Sequence, residues 1–160
     1  RYLRRINFMA QHCAEVGIDA IDEAGKRLIL EQVCYGAVDY KSIKNRLVLP
    51  FIQDWIRPEQ QYYLDCYAPE SLVLPSRKRP LKIRYESDGR AIVSSRLQDF
   101  HALKHQDLLL AKGTIRPLVE LLAPNNRAVH ITDDIDGFWS GAYRSIRKEL
   151  AGRYPKHDWP

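Results

Sequence analysis

Five cations fall within eight residues at Arg77, Lys78, Arg79, Lys82 and Arg84, in a Pro-bounded loop that runs into a strand ending at Tyr85. A second group comprises Arg144, Arg147 and Lys148, followed by Arg153, Tyr154, Lys156, His157 and Trp159. Cations this dense neutralise phosphates by displacing counterions, and interleaved aromatics can stack on unpaired bases. The competing reading is a solvated face whose aromatics are feet in the core. For Arg77 to Arg84 the two readings weigh the same; for the second group the solvated face is the heavier.

Other constellations carry less chemistry. Asp133, Asp134 and Asp136 gather carboxylates as a hard-cation site does, but without the twelve-residue loop and closing Glu of an EF-hand. Acidic residues at a helix start are favoured there without any metal, so they read as capping. His101 and His105 have the spacing of a helical zinc pair, yet no Glu lies between them and no third ligand follows. His130 is expected on a strand, satisfied by a neighbour. No G-x-S-x-G elbow marks a serine nucleophile, and no cysteine sits in a catalytic signature. None of the eight glycines is followed by Lys-Ser or Lys-Thr, so no Walker loop cradles a nucleotide. The expectation is a chain with no catalytic residue, metal or cofactor of its own.

The elements that must position these residues change character along the chain. Leu3, Ile6, Ala10 and Cys13 predict a helix over Tyr2 to Val16, closed by Gly17 in a left-handed conformation. Asp19 or Asp22 caps a second helix towards Tyr35, stopped by Gly36, although Gly25 weakens its interior. Pro50 and Pro58 fit first helical turns and predict helices over Phe51 to Ile56 and Glu59 to Tyr67. From Ser71 the period becomes two. Strands are predicted at Leu72 to Leu74, Leu81 to Tyr85 and Ala91 to Val93, the last two joined by an Asp88-Gly89 hairpin turn. A second hairpin is predicted from Leu118 to Ala123 and Ala128 to Thr132 around Pro124-Asn125-Asn126, with a short helix and loop over Arg96 to Leu110 between the hairpins. A long final helix starts at the three aspartates and ends at Gly152 and Pro155, with Ile135, Phe138, Trp139, Ala142, Ile146 and Leu150 on one face.

With 160 residues, 45% hydrophobic and 28% charged, the chain has enough material for a core without disulfides or structural metal. Cys13, Cys34 and Cys66 are odd in number and widely spaced, as buried thiols of a reducing compartment are, so a cytoplasmic location is expected. The net charge of +5 divides as +2, +1 and +2 when the chain is cut after Arg57 and Ala111, which makes overall basicity weak evidence for a partner. The longest apolar run, Leu47 to Ile52, is six residues and contains Pro50, so no membrane partner is expected. The chain opens on Arg1 rather than Met, which suggests a piece of a longer polypeptide.

Several strings together resemble the C-terminal region of HrpB-type ATP-dependent helicases, bacterial members of the DEAH-box class. They are Ser95-Arg-Leu-Gln-Asp-Phe100, Leu121-Leu-Ala-Pro-Asn125 with Arg127-Ala-Val129, Asp136-Gly-Phe-Trp139, and Ile146-Arg-Lys-Glu-Leu-Ala-Gly-Arg-Tyr-Pro-Lys-His157 closed by Asp158-Trp159-Pro160. Ala68-Pro-Glu-Ser-Leu-Val-Leu-Pro-Ser76 and Ile83-Arg-Tyr85 also match, and Arg5-Ile-Asn-Phe8 and Asp22-Glu-Ala24 match more loosely. The likeness is closest from Ala68 onward. It departs at His101-Ala102, where the family has Phe-Gly, and at Arg77, where it often has Gly after Pro-Ser. The resemblance implies an accessory region that follows a motor of two RecA-like domains, where ATP and Mg would be bound. It carries no catalytic residue across.

These readings converge on an α+β chain: a helical subdomain over 1–67, and a β-rich domain over 68–160 with a small antiparallel sheet or partly closed barrel and a long C-terminal amphipathic helix. The two are expected to meet at a seam within one unit. The expected role is a non-catalytic accessory domain that helps bind single-stranded nucleic acid, RNA ahead of DNA. Arg77, Lys78, Arg79, Lys82, Arg84, Arg144, Arg147, Lys148, Arg153 and Lys156 are its candidate contacts. The expected partners are that nucleic acid and the motor domains of the same polypeptide. The alternatives are a docking module for another protein, through the helical layer or the Arg153 to Trp159 tail, and a structural brace.

Overall fold

A computed structural model describes residues 1–101 and 103–159 and divides the chain into two units, Arg1–Ala68 and Pro69–Pro160. Ala102, half of the His101-Ala102 departure, and Pro160, the end of the closing string, lie outside the described residues.

The first unit is helical: α1 (Tyr2–His12), α2 (Glu23–Cys34), α3 (Tyr40–Ile43), α4 (Leu49–Gln53) and α5 (Pro58–Tyr67). Ile6, Phe8 and Met9 of α1 bury with Ile21, Ile29, Val33 and Leu64. Polar side chains then tie the connections down. Asn7 bonds both ways to the Ile21 backbone, at 2.7 and 3.0 Å, and buried Gln60 donates to the Gly17 carbonyl at 2.6 Å. The Asp22 carboxylate caps α2 by accepting from the Gly25 N–H at 2.8 Å. Gly25 sits inside α2 because the Trp55 ring lies over it: a Cβ there would fall 2.9 Å from the ring. The first helix is shorter than the expected Tyr2 to Val16. It stops at His12, a 3-10 turn over Ala14–Val16 follows, and Gly17 closes that turn at φ +66°. The α3 turn was not anticipated; Asp39 caps it, and the Ser42 N–H beside it holds the Asp39 carboxyl below its usual pKa range.

The second unit is a five-stranded open sheet in the order β1 (Ser71–Leu72), β2 (Leu81–Tyr85), β3 (Ala91–Arg96), β4 (Leu118–Leu122), β5 (Ala128–Thr132), followed by α6 (Ile135–Ser140) and α7 (Tyr143–Arg153). Leu81, Ile83 and Tyr85 alternate inward with Lys82 and Arg84 outward, and Val93, Val119 and Leu121 continue the buried face. Each such side chain contributes about 1.5–3 kcal/mol when buried. Both expected hairpins form. Gly89 turns the first at φ +81°, and Asn126 turns the second at φ +61°, with the Asn125 side chain accepting from the Arg127 N–H at 3.1 Å.

Four expectations need correction. The sheet is mixed and open, neither antiparallel throughout nor barrel-like: β3 and β4 run parallel, Ile92 opposite Leu118 through Arg96 opposite Leu122. The reason is the long connection over 97–117, which returns the chain to the same end of the sheet as a crossover does. That connection is built from 3-10 turns at Leu97–Phe100, His105–Leu108 and Ala111–Gly113, so His101 and His105 share no α-helical face. The final helix is two helices, broken at Gly141 (φ −120°, ψ −89°), and past the break the phase shifts so that Tyr143 buries. Of the thiols expected to be buried, only Cys13 is; Cys34 and Cys66 fall on the solvent side of the last turns of α2 and α5. Among the described residues, no helix is long and apolar enough to cross a membrane.

Candidate nucleic-acid interface

The loop between β1 and β2 carries Arg77, Lys78 and Arg79 to a cleft of about 590 Å³, which they line with Ser94, Ser95, Arg96, Asp99, Leu122 and Asn126. The string Ser95 to Phe100 builds it residue by residue. Leu97 and Phe100 are fully buried and fix the turn after β3. Asp99 then reaches the loop: its Oδ2 pairs with Arg77 Nη1 at 2.6 Å, and its backbone carbonyl accepts from the Ser76 hydroxyl. Ser95, 4% exposed, completes the clamp, its Oγ accepting from Arg77 and donating to Asp99. Gln98 reaches the other way and donates to the Asp158 carbonyl at 3.4 Å. Arg96 points into the cleft mouth from the last position of β3.

The candidate cations thus meet different fates. Arg77 is clamped; Lys78, Arg79 and Arg96 have no carboxylate partner among the described residues. Lys82 and Arg84 lie on the outer face of β2 rather than in the cleft, and Arg84 is paired with Glu86 at 2.7 Å. On that outer face Arg84 lies opposite Ile92, and Ser94, opposite Glu120, donates its hydroxyl to it. Arg96 is the residue the cation count missed. It stands alone between Ser95 and Leu97, but extending the β3 alternation from Ile92 through Ser94 puts it on the same face as Arg84.

Arg144, Arg147 and Lys148 stay together, lining a groove of about 780 Å³ along α7 with Gly141, Ser145 and Ala151. Burial pushes the Tyr143 hydroxyl above its ordinary pKa, with the Arg147 guanidinium pulling the other way. Arg153 is paired with Glu149 at 3.2 Å, and Lys156 is exposed beyond the helix. Of the aromatics expected to stack on bases, Tyr85 and Trp159 are turned inward, Tyr154 is half-buried and His157 is exposed. Tyr85 is 2% exposed with its hydroxyl donating to the Pro69 carbonyl at 2.8 Å, and Trp159 is 9% exposed with its indole N–H on the Tyr154 carbonyl.

The remaining chemistry-bearing residues hold the fold. Asp134 caps α6 by accepting from the Gly137 N–H at 2.9 Å, and Asp136 accepts from the His105 N–H at 3.3 Å. His130, on β5, stacks on Phe138, and His101 meets the Trp139 ring edge-on at 5.3 Å. Among the described residues, no group of three His, Cys, Asp or Glu side chains is placed to hold a metal ion.

Comparisons with known proteins cover most of the chain. The sequence pattern of the ATP-dependent helicase C-terminal family, HrpB_C, matches residues 29–160. The ATP-dependent RNA helicase HrpB of Escherichia coli strain K12 is 36% identical over 120 residues, which are 75% of this chain and 14% of that protein. The crystal structure of the E. coli DExH-box NTPase HrpB superposes with a TM-score of 0.86 at 28% identity over 99% of this chain. A second structure, of the E. coli DEAH/RHA helicase HrpB, gives 0.73 at 27% identity over the same share. In both solved proteins the match spans 20% of the chain. A family pattern matched over most of the sequence places this chain in the HrpB-type ATP-dependent helicase C-terminal family.

Proposed function

We propose that this chain is a non-catalytic accessory region that binds nucleic acid for an ATP-dependent helicase, with the cleft at Arg77 to Arg79 and Arg96 as the contact. The observation that carries the reading is the asymmetry of pairing: one arginine is locked in place by Asp99 and Ser95, and three cations beside it have no carboxylate to answer them. Three free cations grouped around that anchored loop suit a row of phosphates. The energy comes from motor domains elsewhere in the polypeptide, which would hold ATP and Mg. The relative's printed name makes RNA the first ligand to test.

The test is binding of fluorescently labelled single-stranded RNA to the 160-residue chain. The expected outcome is affinity that falls steeply with salt, and a loss of at least tenfold in the triple variant K78E/R79E/R96E. Equal binding by that variant would remove the cleft from the proposal.

A docking role for the helical unit has its own support. Tyr35, Val38, Tyr40 and Leu47 are 86%, 95%, 72% and 75% exposed within thirteen residues. Apolar surface gathered this closely marks protein contact more often than solvent. The Arg153 to Trp159 tail has no such claim, since Trp159 is buried.

A further inference from the structure

We infer that the groove between α2 and α4 is a docking site for a second protein, and that it takes an arginine side chain flanked by apolar residues. The inference rests on the docking role of the helical unit, to which it gives a partner, and is independent of the nucleic-acid reading. The groove, of about 510 Å³, is lined by Glu31, Gln32 and Tyr35 at the end of α2 and by Phe51 and Asp54 from α4 and its last turn. Two contacts hold its walls in place. The Trp55 ring, next to Asp54, lies over Gly25 of α2, with its indole N–H donating to the Asp19 carbonyl at 3.1 Å. The Arg46 guanidinium donates to the Val33 and Tyr35 carbonyls at 2.6 and 2.7 Å and fixes the backbone that carries the Tyr35 ring.

The groove joins aromatic rings to unanswered negative charge. Tyr35 is 86% exposed and Phe51 half-buried, while Glu31 and Asp54 have no ion pair among the described residues. The cations of the same unit are engaged elsewhere: Lys26 with Glu23, Arg57 with Glu59, and Arg46 with backbone carbonyls. Arg27, one turn before Glu31, pairs with neither carboxylate. A cation set between rings and carboxylates is held from both sides, and a guanidinium suits this best because it stacks flat and forks onto a carboxylate. The same carboxylates repel a phosphate chain, so the rings do not read as a platform for bases. Leu28, 54% exposed, shares the α2 face of Glu31 and Tyr35, and Val38 follows three residues after Tyr35 at 95% exposed. Apolar surface flanking an acidic groove fits a protein segment rather than a free cation.

The experiment measures binding of a short fluorescein-labelled peptide of alternating leucine and arginine to the 160-residue chain, beside the same peptide with uncharged citrulline in place of arginine. The arginine peptide is expected to bind, and the citrulline peptide to bind about fivefold more weakly or worse. E31Q/D54Q should weaken the arginine peptide by the same margin and Y35A by about threefold, with the RNA affinity and unfolding midpoint of both variants unchanged. Equal binding of the two peptides, or equal binding by E31Q/D54Q, would overturn the inference and leave an apolar docking role standing. A fall of RNA affinity in Y35A would assign the groove to nucleic acid and overturn it too. Arginine-peptide binding by the 160-residue chain but not by the longer polypeptide would give the groove to a segment of that polypeptide, against a second protein. Failure of both peptides to bind would overturn the docking role along with the inference.

Discussion

Arg5 and Arg77 each meet an aspartate, at 2.7 and 2.6 Å, but in opposite settings. Arg5 is 2% exposed, and besides Asp65 its guanidinium donates to the Ala68 and Leu64 carbonyls, closing the C-terminal end of α5. Arg46 is used the same way, donating to the Val33, Tyr35 and Ser42 carbonyls. Arg77, by contrast, is held at the mouth of a cleft beside three cations that bond to no carboxylate. The formal charges follow this division. Arg1–Ala68 carries nine Lys and Arg against nine Asp and Glu, whereas the second unit carries sixteen against eleven, so the whole +5 belongs to the β-rich unit. Cutting the chain into thirds conceals that, because the cuts ignore the boundary at Ala68. The lesson is that a cation's fate, not its count, marks an interface.

The sharpest way to break the comparison is Arg5→Ala. It strips two carbonyls and a carboxylate of their donor in the core of the helical unit, and should cost about 2–4 kcal/mol in urea unfolding. The folded protein should keep its RNA affinity. A loss below 1 kcal/mol would mean that Arg5 is as dispensable as a surface charge. Within the second unit, Gly137→Ala tests whether the Asp-Gly-Phe-Trp string is structural, because its Cβ would fall 2.2 Å from Asp134 Oδ2 and displace the cap of α6. The expected cost is about 1–2 kcal/mol, read as a lower unfolding midpoint with RNA affinity unchanged. Asp99→Asn is the smallest and the most telling change. Stability should fall by about 1 kcal/mol, since the pair is partly exposed. RNA affinity should rise two- to threefold at low salt with a steeper slope, because Arg77 is released to meet a phosphate. A fall in affinity would show instead that Arg77 works only when clamped.

The strands were legible in the sequence because alternation is a local signal: Leu81, Ile83 and Tyr85 against Lys82 and Arg84 fix the face of β2 without reference to any neighbour. The same alternation places Tyr85 with the core, which is why its ring cannot serve the cations beside it. Pairing is not local, so the parallel contact of β3 with β4 lay beyond what Ala91 to Val93 and Leu118 to Ala123 could reveal singly. The break at Gly141 was hidden by an apolar stripe whose period passes through it undisturbed. The cleft was half visible. Arg77 to Arg79 announced themselves by density, whereas Arg96 and the clamp of Ser95 and Asp99 come from a stretch whose role appears only when the turn after β3 is folded against the loop.

The central claim is that unpaired cations at this cleft, and not the overall charge, hold nucleic acid. Its most direct test is the salt dependence of single-stranded RNA binding for the unmodified chain beside K78E/R79E/R96E. A logarithmic slope of about −2 that collapses towards zero in the variant is the predicted result. A slope that survives the three reversals would place the binding elsewhere and contradict the account.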